Sequence, residues 1–266
     1  MNNNTTLDEP IGVFDSGVGG LSVLRALRQR LPDESFIYVA DSGNAPYGDR
    51  SADFVDTRAG ELAAFLVSHR AKALVLACNT VSVIAARRLR TQFPLPIVAM
   101  EPAIKPAALL TKSKKVLVLA TTNTLSSESV ARLCGMHGVD VNFILQACPG
   151  LVEQVERGEL QHQNTRVLLK KYIAPGLVAG ADTVVLGCTH YAFLTEEIAG
   201  IVGPSVTIVE PSEAIARELT RRLGITIYSR RSVNTAEYYT SGSTQQLSEF
   251  LALVGEPSAQ VFSLPT

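Results

Sequence analysis

Long apolar runs, basic clusters, net charge and cysteine pairs are all missing from this sequence, and each shortage removes a class of function. A helix that crosses a bilayer needs roughly 18 or more consecutive apolar residues, and nothing in the 266-residue chain approaches that. The formal net charge is −1, and Lys and Arg are scattered apart from short pairs such as Arg230-Arg231. A protein that holds nucleic acid or an anionic membrane presents a basic stripe, so neither partner is expected. The first residues, Met1-Asn2-Asn3-Asn4-Thr5-Thr6-Leu7-Asp8, lack the basic and apolar regions of a signal peptide. The expectation is a cytoplasmic protein. The cysteines, Cys78, Cys134, Cys148 and Cys188, form no C-x-x-C pair that suggests zinc. In a reducing compartment they are not expected to form disulfides.

What is present is an ordinary globular composition, 46% hydrophobic and 18% charged, in a chain long enough for two modest domains or one large one. Short apolar runs alternate with segments of helical period. Strands are expected at 11–14, 36–40, 73–77 and 97–99, then again at 116–120, 141–145, 183–186 and 206–209. Leu21, Leu24, Leu27 and Leu31 mark the inner face of a first helix. Phe54, Val55, Leu62, Phe65 and Leu66 mark a second, and Val81, Ile84, Ala85 and Leu89 a third, which Thr80 is placed to cap. Beyond Pro211, two helical patterns flank a turn-rich segment, Tyr238-Tyr239-Thr240-Ser241-Gly242, expected to pack back on the first half.

The strand ends repeat at a nearly constant offset. Asp15 and Thr121 are 106 residues apart, Asp41 and Cys148 107, Cys78 and Cys188 110, and Glu101 and Glu210 109. Glu-Pro recurs in both copies, and Ala77-Cys78-Asn79-Thr80 is echoed by Gly187-Cys188-Thr189-His190. The pattern predicts an α/β protein of two pseudo-symmetric parallel-sheet α/β domains from an internal duplication. Residues 1–99 plus 211–266 are expected to form the first domain and 100–210 the second. All the polar clusters sit at the carboxyl ends of strands, where ligands gather in such sheets, so the active site is expected in the interdomain cleft.

A lone cysteine in an apolar run is usually a small buried hydrophobe; two in matching contexts suggest paired thiols. A helix start directly after each cysteine would help stabilise a thiolate. Asp15 is placed to orient a neighbouring thiol or a substrate amine. His190 fits equally a proton partner for Cys188, a contact to a substrate carboxylate, or a hydrogen-bonded structural histidine. Asn79, Thr80, Thr189 and His190 bring donors to helix starts, which suit carboxylates, and Ser16 and the glycines after it do the same. Asp15-Ser16-Gly17-Val18-Gly19-Gly20 lacks the third glycine of a dinucleotide loop, Ser22 standing there, and has no Gly-Lys-Ser/Thr. Neither a nucleotide nor a metal is expected. Inverting a stereocentre by proton transfer requires removal of a proton from one face of a carbon and delivery to the other, a task suited to quasi-equivalent thiols; a cysteine hydrolase needs only one.

With these residues the chain resembles the glutamate racemases of the aspartate/glutamate racemase superfamily. The resemblance is carried by Gly12-Val13-Phe14-Asp15-Ser16-Gly17-Val18-Gly19-Gly20-Leu21, by Ala40-Asp41 with Pro46-Tyr47-Gly48, by Ala77-Cys78-Asn79-Thr80, and by Leu186-Gly187-Cys188-Thr189-His190-Tyr191. It implies an isomerase without cofactor or metal that interconverts L- and D-glutamate and supplies D-glutamate for peptidoglycan. In that reading Cys78 takes the Cα proton from D-glutamate and Cys188 from L-glutamate, with Asp15 assisting the first and His190 and Glu156 the second. Asp15, Ser16, Tyr47, Gly48, Asn79, Thr80, Thr121, Thr124, Thr189 and His190 match substrate-binding positions. The stretch around Thr124 follows the family less closely, with Ser127-Glu128-Ser129 where an aromatic residue is common. Homodimers are common in the family. The short stretch before the first strand speaks against control by a peptidoglycan precursor, which some relatives achieve through a longer N-terminal segment. The rival readings are an aspartate or other amino-acid racemase, a two-lobed amino-acid-binding protein, and a thiol-dependent hydrolase.

Overall fold

The computed structural model describes residues 9–225 and 235–265. The polar start of the chain (1–8) and the Arg230-Arg231 pair lie outside the described residues. The first half runs β1 (Ile11–Asp15), α1 (Leu21–Arg30), β2 (Phe36–Ala40), α2 (Ala52–Ser68), β3 (Ala73–Leu76), α3 (Asn79–Gln92) and β4 (Ile97–Ala99). The second runs α4 (Ile104–Leu110), β5 (Lys115–Ala120), α5 (Thr122–Leu125), α6 (Glu128–His137), β6 (Asn142–Ala147), α7 (Leu151–Glu156), α8 (Gln163–Val178), β7 (Thr183–Leu186), α9 (Thr195–Val202) and β8 (Thr207–Val209). The remainder is α10 (Ser212–Leu223), β9 (Ala236–Thr240), α11 (Thr244–Leu253) and β10 (Val261–Ser263).

These strands form two sheets, ordered β10-β9-β2-β1-β3-β4 and β6-β5-β7-β8, with every pairing parallel. Parallel strands covered on both faces read as continuous apolar runs; β1, β2, β3 and β7 are buried throughout. Within the larger sheet the order β2-β1-β3-β4 repeats as β6-β5-β7-β8 in the smaller. Two α/β units with the same strand order are what the constant sequence offsets foretold. The register is equivalent as well: Leu76 pairs with Phe14 on β1, and Leu186 with Leu119 on β5. Cys78 and Cys188 therefore follow equivalent strands, β3 and β7, each two residues beyond the last strand residue.

Leu21, Leu24, Leu27 and Leu31 are all buried, and α1 packs on α10. One apolar cluster runs from Val13 and Val75 of the first sheet to Leu117 and Val184 of the second. The two halves thus share a core rather than touching only at their rims.

Three local expectations need correction. The segment expected to be a turn at Tyr238 is strand β9, with only Ser241-Gly242 turning. The β-prone Tyr238, Tyr239 and Thr240 pair with β2 from Phe36↔Ala236 to Ala40↔Thr240. Thr80 does not cap α3; the cap position is Cys78, in extended conformation, and Thr80 lies inside the helix. The thiol at 188 is followed not by an α-helix but by a 3-10 segment, Thr189–Leu194, before α9 begins. Threonine and aromatic side chains are poor helix formers. Tyr191 and Leu194, both fully buried, are spaced for three residues per turn.

The start of β7 is tied down by Asp182. Its carboxylate accepts hydrogen bonds from Thr111 Oγ1 (2.6 Å), Lys112 N (2.8 Å), Ser113 N (2.7 Å) and Thr183 Oγ1 (3.0 Å). Burial works against its ionisation, but these donors outweigh it and hold the carboxyl well below its usual range. A depressed folded-state pKa contributes stability above the unfolded value, ~3.9, that is lost as pH falls through the folded value. Asp182→Ala is expected to lower the unfolding free energy by about 1–2 kcal/mol near neutral pH, allowing for solvent screening. Denaturant titrations at a series of pH values check this: the gap to the wild type narrows below pH ~4.

Candidate active site

Cys78 and Cys188 adopt nearly the same backbone conformation, φ −135°, ψ 124° and φ −140°, ψ 134°. Both thiols line one small, tight cavity between the halves. Ser16, Tyr47, Gly48, Asn79, Thr80, Thr121, Thr124, Thr189 and His190 complete its predicted wall, and Val152 and Gly187 join them. Asp15 and Glu156 do not line it; they stand one layer back. Gly187 was legible only as the small residue before a cysteine. A Cβ there would meet Ala120 Cβ at 2.9 Å and the Leu119 carbonyl oxygen at 3.0 Å, so glycine lets β7 run into the cavity without displacing β5.

On the first-half side, the Cys78 thiol donates to Ser16 Oγ over 3.6 Å. Burial pushes this thiol well up and the nearby Asp15 adds to it, while the Val81 N–H of α3 and the Ser16 hydroxyl pull it back. The Asp15 carboxylate accepts from Ser16 N (2.7 Å), Gly20 N (2.6 Å) and Thr189 Oγ1 (3.3 Å). It therefore braces the β1–α1 loop and reaches the second half through Thr189. Burial raises its pKa, although the facing His190 and the Gly20 N–H oppose that. Tyr47 donates its hydroxyl to the fully buried Asp41, which Arg58 holds in turn at 2.6 and 3.1 Å.

On the second-half side, the Cys188 sulfur lies 3.8 Å from His190 Nδ1, and His190 Nε2 lies 2.5 Å from Glu156 Oε1. Burial alone would push His190 down. Its hydrogen bonds to Cys188 and Glu156, and their charges, outweigh that and hold the imidazole well above its ordinary value. Sulfur, imidazole and carboxylate thus make a continuous proton-bearing chain. Thr80, Thr121 and Thr124 form a hydroxyl triangle with sides of 3.0, 3.3 and 2.9 Å. Both amide atoms of Asn79 are buried against the cavity without a protein partner. An orphaned buried amide of this kind suits a polar ligand.

The halves meet where glycine allows it. A Cβ on Gly17 would fall 1.8 Å from Glu156 Oε1, on Gly19 2.4 Å from His190 Nδ1, and on Gly48 2.8 Å from Thr121 Cβ. Read from sequence as backbone donors, the glycines of the first loop are also the clearance through which one half approaches the other. Ser42, which reaches Glu156 from the loop after β2, drew no attention in the sequence. The other cysteines stand apart from the cavity wall. Cys148 donates to the Gln146 carbonyl at 3.3 Å, and burial pushes its thiol up to about 12. Among the described residues no cluster of His, Cys, Asp and Glu is arranged to hold a metal ion.

A family model described as Asp/Glu/Hydantoin racemase matches residues 11–219, from β1 through most of α10. The chain belongs to that family. It is 49% identical over 254 residues to a glutamate racemase of Ectopseudomonas mendocina, covering 95% of this chain and 97% of that protein. Its structure matches a glutamate racemase isoform of Bacillus anthracis with a TM-score of 0.88 at 29% identity, over 98% of both chains. It also matches the Escherichia coli glutamate racemase, determined with L-glutamate and the activator UDP-MurNAc-Ala, with a TM-score of 0.85 at 30% identity, over 96% of this chain and 97% of that one. The family resemblance covers both halves and every element that builds the cavity.

Proposed function

We propose that this protein is a glutamate racemase that interconverts L- and D-glutamate by a two-base proton transfer at Cα, supplying D-glutamate for peptidoglycan. The observation that carries the reading is the pair of cysteines, in one backbone conformation at the ends of equivalent strands, lining one cavity. With L-glutamate, Cys188 as thiolate removes the Cα proton and Cys78 as thiol returns one to the opposite face. D-glutamate reverses the roles. The two thiols begin each direction in opposite protonation states. A Cα between two such groups loses its hydrogen to one side and regains it from the other.

The remaining residues divide by position. Ser16 serves the Cys78 side directly and Asp15 through it; His190, backed by Glu156, serves the Cys188 side. Asn79, Thr80, Thr121, Thr124 and Thr189, with the backbone at Tyr47 and Gly48, hold the substrate's carboxylates and ammonium. The reaction asks for no cofactor, because side chains both remove and return the proton. Residues 1–99 with 211–266 are taken as the first α/β domain and 100–210 as the second, a division supported by the sheet to which each described strand belongs. The proposal extends to a cytoplasmic homodimer, on the strength of the family resemblance. Among the described residues no helix is long and apolar enough to cross a membrane.

Circular dichroism of glutamate solutions tests the substrate. The purified protein, with nothing added, is expected to erase the signal of L- and D-glutamate to the same endpoint and leave L-aspartate largely unchanged. Faster loss with aspartate would move the reading to an aspartate racemase. No loss with any amino acid, together with measurable binding, would move it to a binding protein.

A further inference from the structure

The Glu156 carboxylate joins the two halves at the His190 side of the cavity. It sits at the end of α7 in the second half and is bonded to His190 of that half. Its other donors come from the first half. Val18 N–H, in the β1–α1 loop, reaches Oε1 at 2.8 Å, and the Ser42 hydroxyl, in the turn after β2, reaches Oε2 at 2.9 Å. Among the described residues, Ser42 is the only donor to Oε2. The Glu156 side chain keeps only 16% of its exposure and the His190 side chain 1%, so water does little to replace a lost donor.

A carboxylate that must hold an imidazolium needs its second oxygen occupied, or it will turn and share its position between the two. The hydroxyl that occupies it belongs to the opposite half. Both cross-half donors depend on the close approach of the two halves, and together with His190 they fix Glu156 with Oε1 toward the imidazole. The Cys78 side has no such dependence through Ser42, because its thiol contacts Ser16 of its own half.

From this, and resting on the two-base reading above, we infer that Ser42 is a positioning residue. It acts through Glu156 and His190 on the Cys188-side proton transfer and not on the Cys78-side one.

Enantiomers have equal free energy, so kcat/KM must fall equally from either direction whatever residue is changed. Isotope effects separate the two sides. With glutamate deuterated at Cα, the L-enantiomer reports removal at Cys188 and the D-enantiomer removal at Cys78. In Ser42→Ala, loss of a hydrogen bond to a charged group is expected to lower kcat/KM roughly tenfold. The isotope effect on kcat/KM rises with deuterated L-glutamate and falls with deuterated D-glutamate, because the Cys188 step becomes the slower one. Ser42→Thr, which keeps the hydroxyl, restores both rate and isotope pattern.

A Ser42→Ala enzyme with the wild-type rate would overturn the inference. So would a slowdown in which the two isotope effects keep their wild-type ratio, the mark of loosened packing alone, or a Thr variant as impaired as the Ala one. The unmodified enzyme, run alongside, guards the underlying reading. If it does not racemise glutamate, the two-base proposal itself fails; if it does and the variants disobey, only the role of Ser42 is lost.

Discussion

Cys78→Ala and Cys188→Ala each lose racemisation by a factor of about 10² to 10⁴, the range supplied by a positioned acid or base. Each variant keeps one base, so each still exchanges the Cα hydrogen of one enantiomer with solvent. Cys188→Ala exchanges D-glutamate and leaves L-glutamate untouched; Cys78→Ala does the reverse. Proton NMR in D2O reads both, and circular dichroism reads the loss of racemisation. Both thiols are buried, at 5% and 7% exposure, and alanine removes only the sulfur from each. The variants should therefore melt close to the wild type and still bind glutamate by calorimetry. Serine at either position rescues little, because its hydroxyl is a far weaker acid than a thiol. Substantial turnover in either alanine variant would remove the two-thiol assignment.

Gly19→Ala is the second large effect, and it comes without removing any group that exchanges protons. The new methyl would lie 2.4 Å from His190 Nδ1, 2.6 Å from Thr189 Oγ1 and 2.7 Å from the His190 backbone nitrogen. A flexible side chain can yield to such a contact, but a backbone nitrogen in a buried 3-10 turn cannot do so cheaply. Either the β1–α1 loop or the Thr189–Leu194 segment must shift, and both carry cavity residues. A misplacement of about 1 Å costs on the order of a hundredfold in rate, and overpacking a filled site costs about 1–3 kcal/mol. Steady-state kinetics should show kcat/KM down about a hundredfold, with the sheet content preserved in the far-ultraviolet spectrum. An unchanged kcat/KM would mean that the halves do not need this close approach when the enzyme works.

The duplication was legible because it was written twice. A strand buried on both faces demands an apolar run, and a run repeated at a fixed offset with Cys at both ends carries its own internal check. The recurrence of one strand order in both halves and the equivalence of β3 and β7 follow from that, although the order itself came only from the structure. The strands of the C-terminal part were not legible. Ala236–Thr240 is short and runs straight into a turn, and its partner β2 lies some 200 residues earlier in sequence. The 3-10 turn after Cys188 was hidden by analogy with α3, since the two copies diverge directly after the cysteine. Within the site, Ser16, Cys78, Asn79, Thr80, Cys188, Thr189 and His190 were readable from their place after strand ends. Tyr47, Gly48, Thr121 and Thr124 came with the family resemblance, and Val152 was not read. The layer behind them was only partly readable, because the value of Ser42, Gly17 and Gly19 lies in what the other half brings against them. Contacts of that kind, between loops more than a hundred residues apart, leave no periodicity to find.

One measurement reaches the central claim most directly: L-glutamate is racemised in D2O and both enantiomers are recovered early, before reversal. Two separate thiols, one on each face, give D-glutamate that is almost fully deuterated at Cα beside remaining L-glutamate that still carries protium. D-glutamate that keeps the substrate's own hydrogen would mean that a single group carries the proton from one face to the other, and the paired cysteines would lose their role.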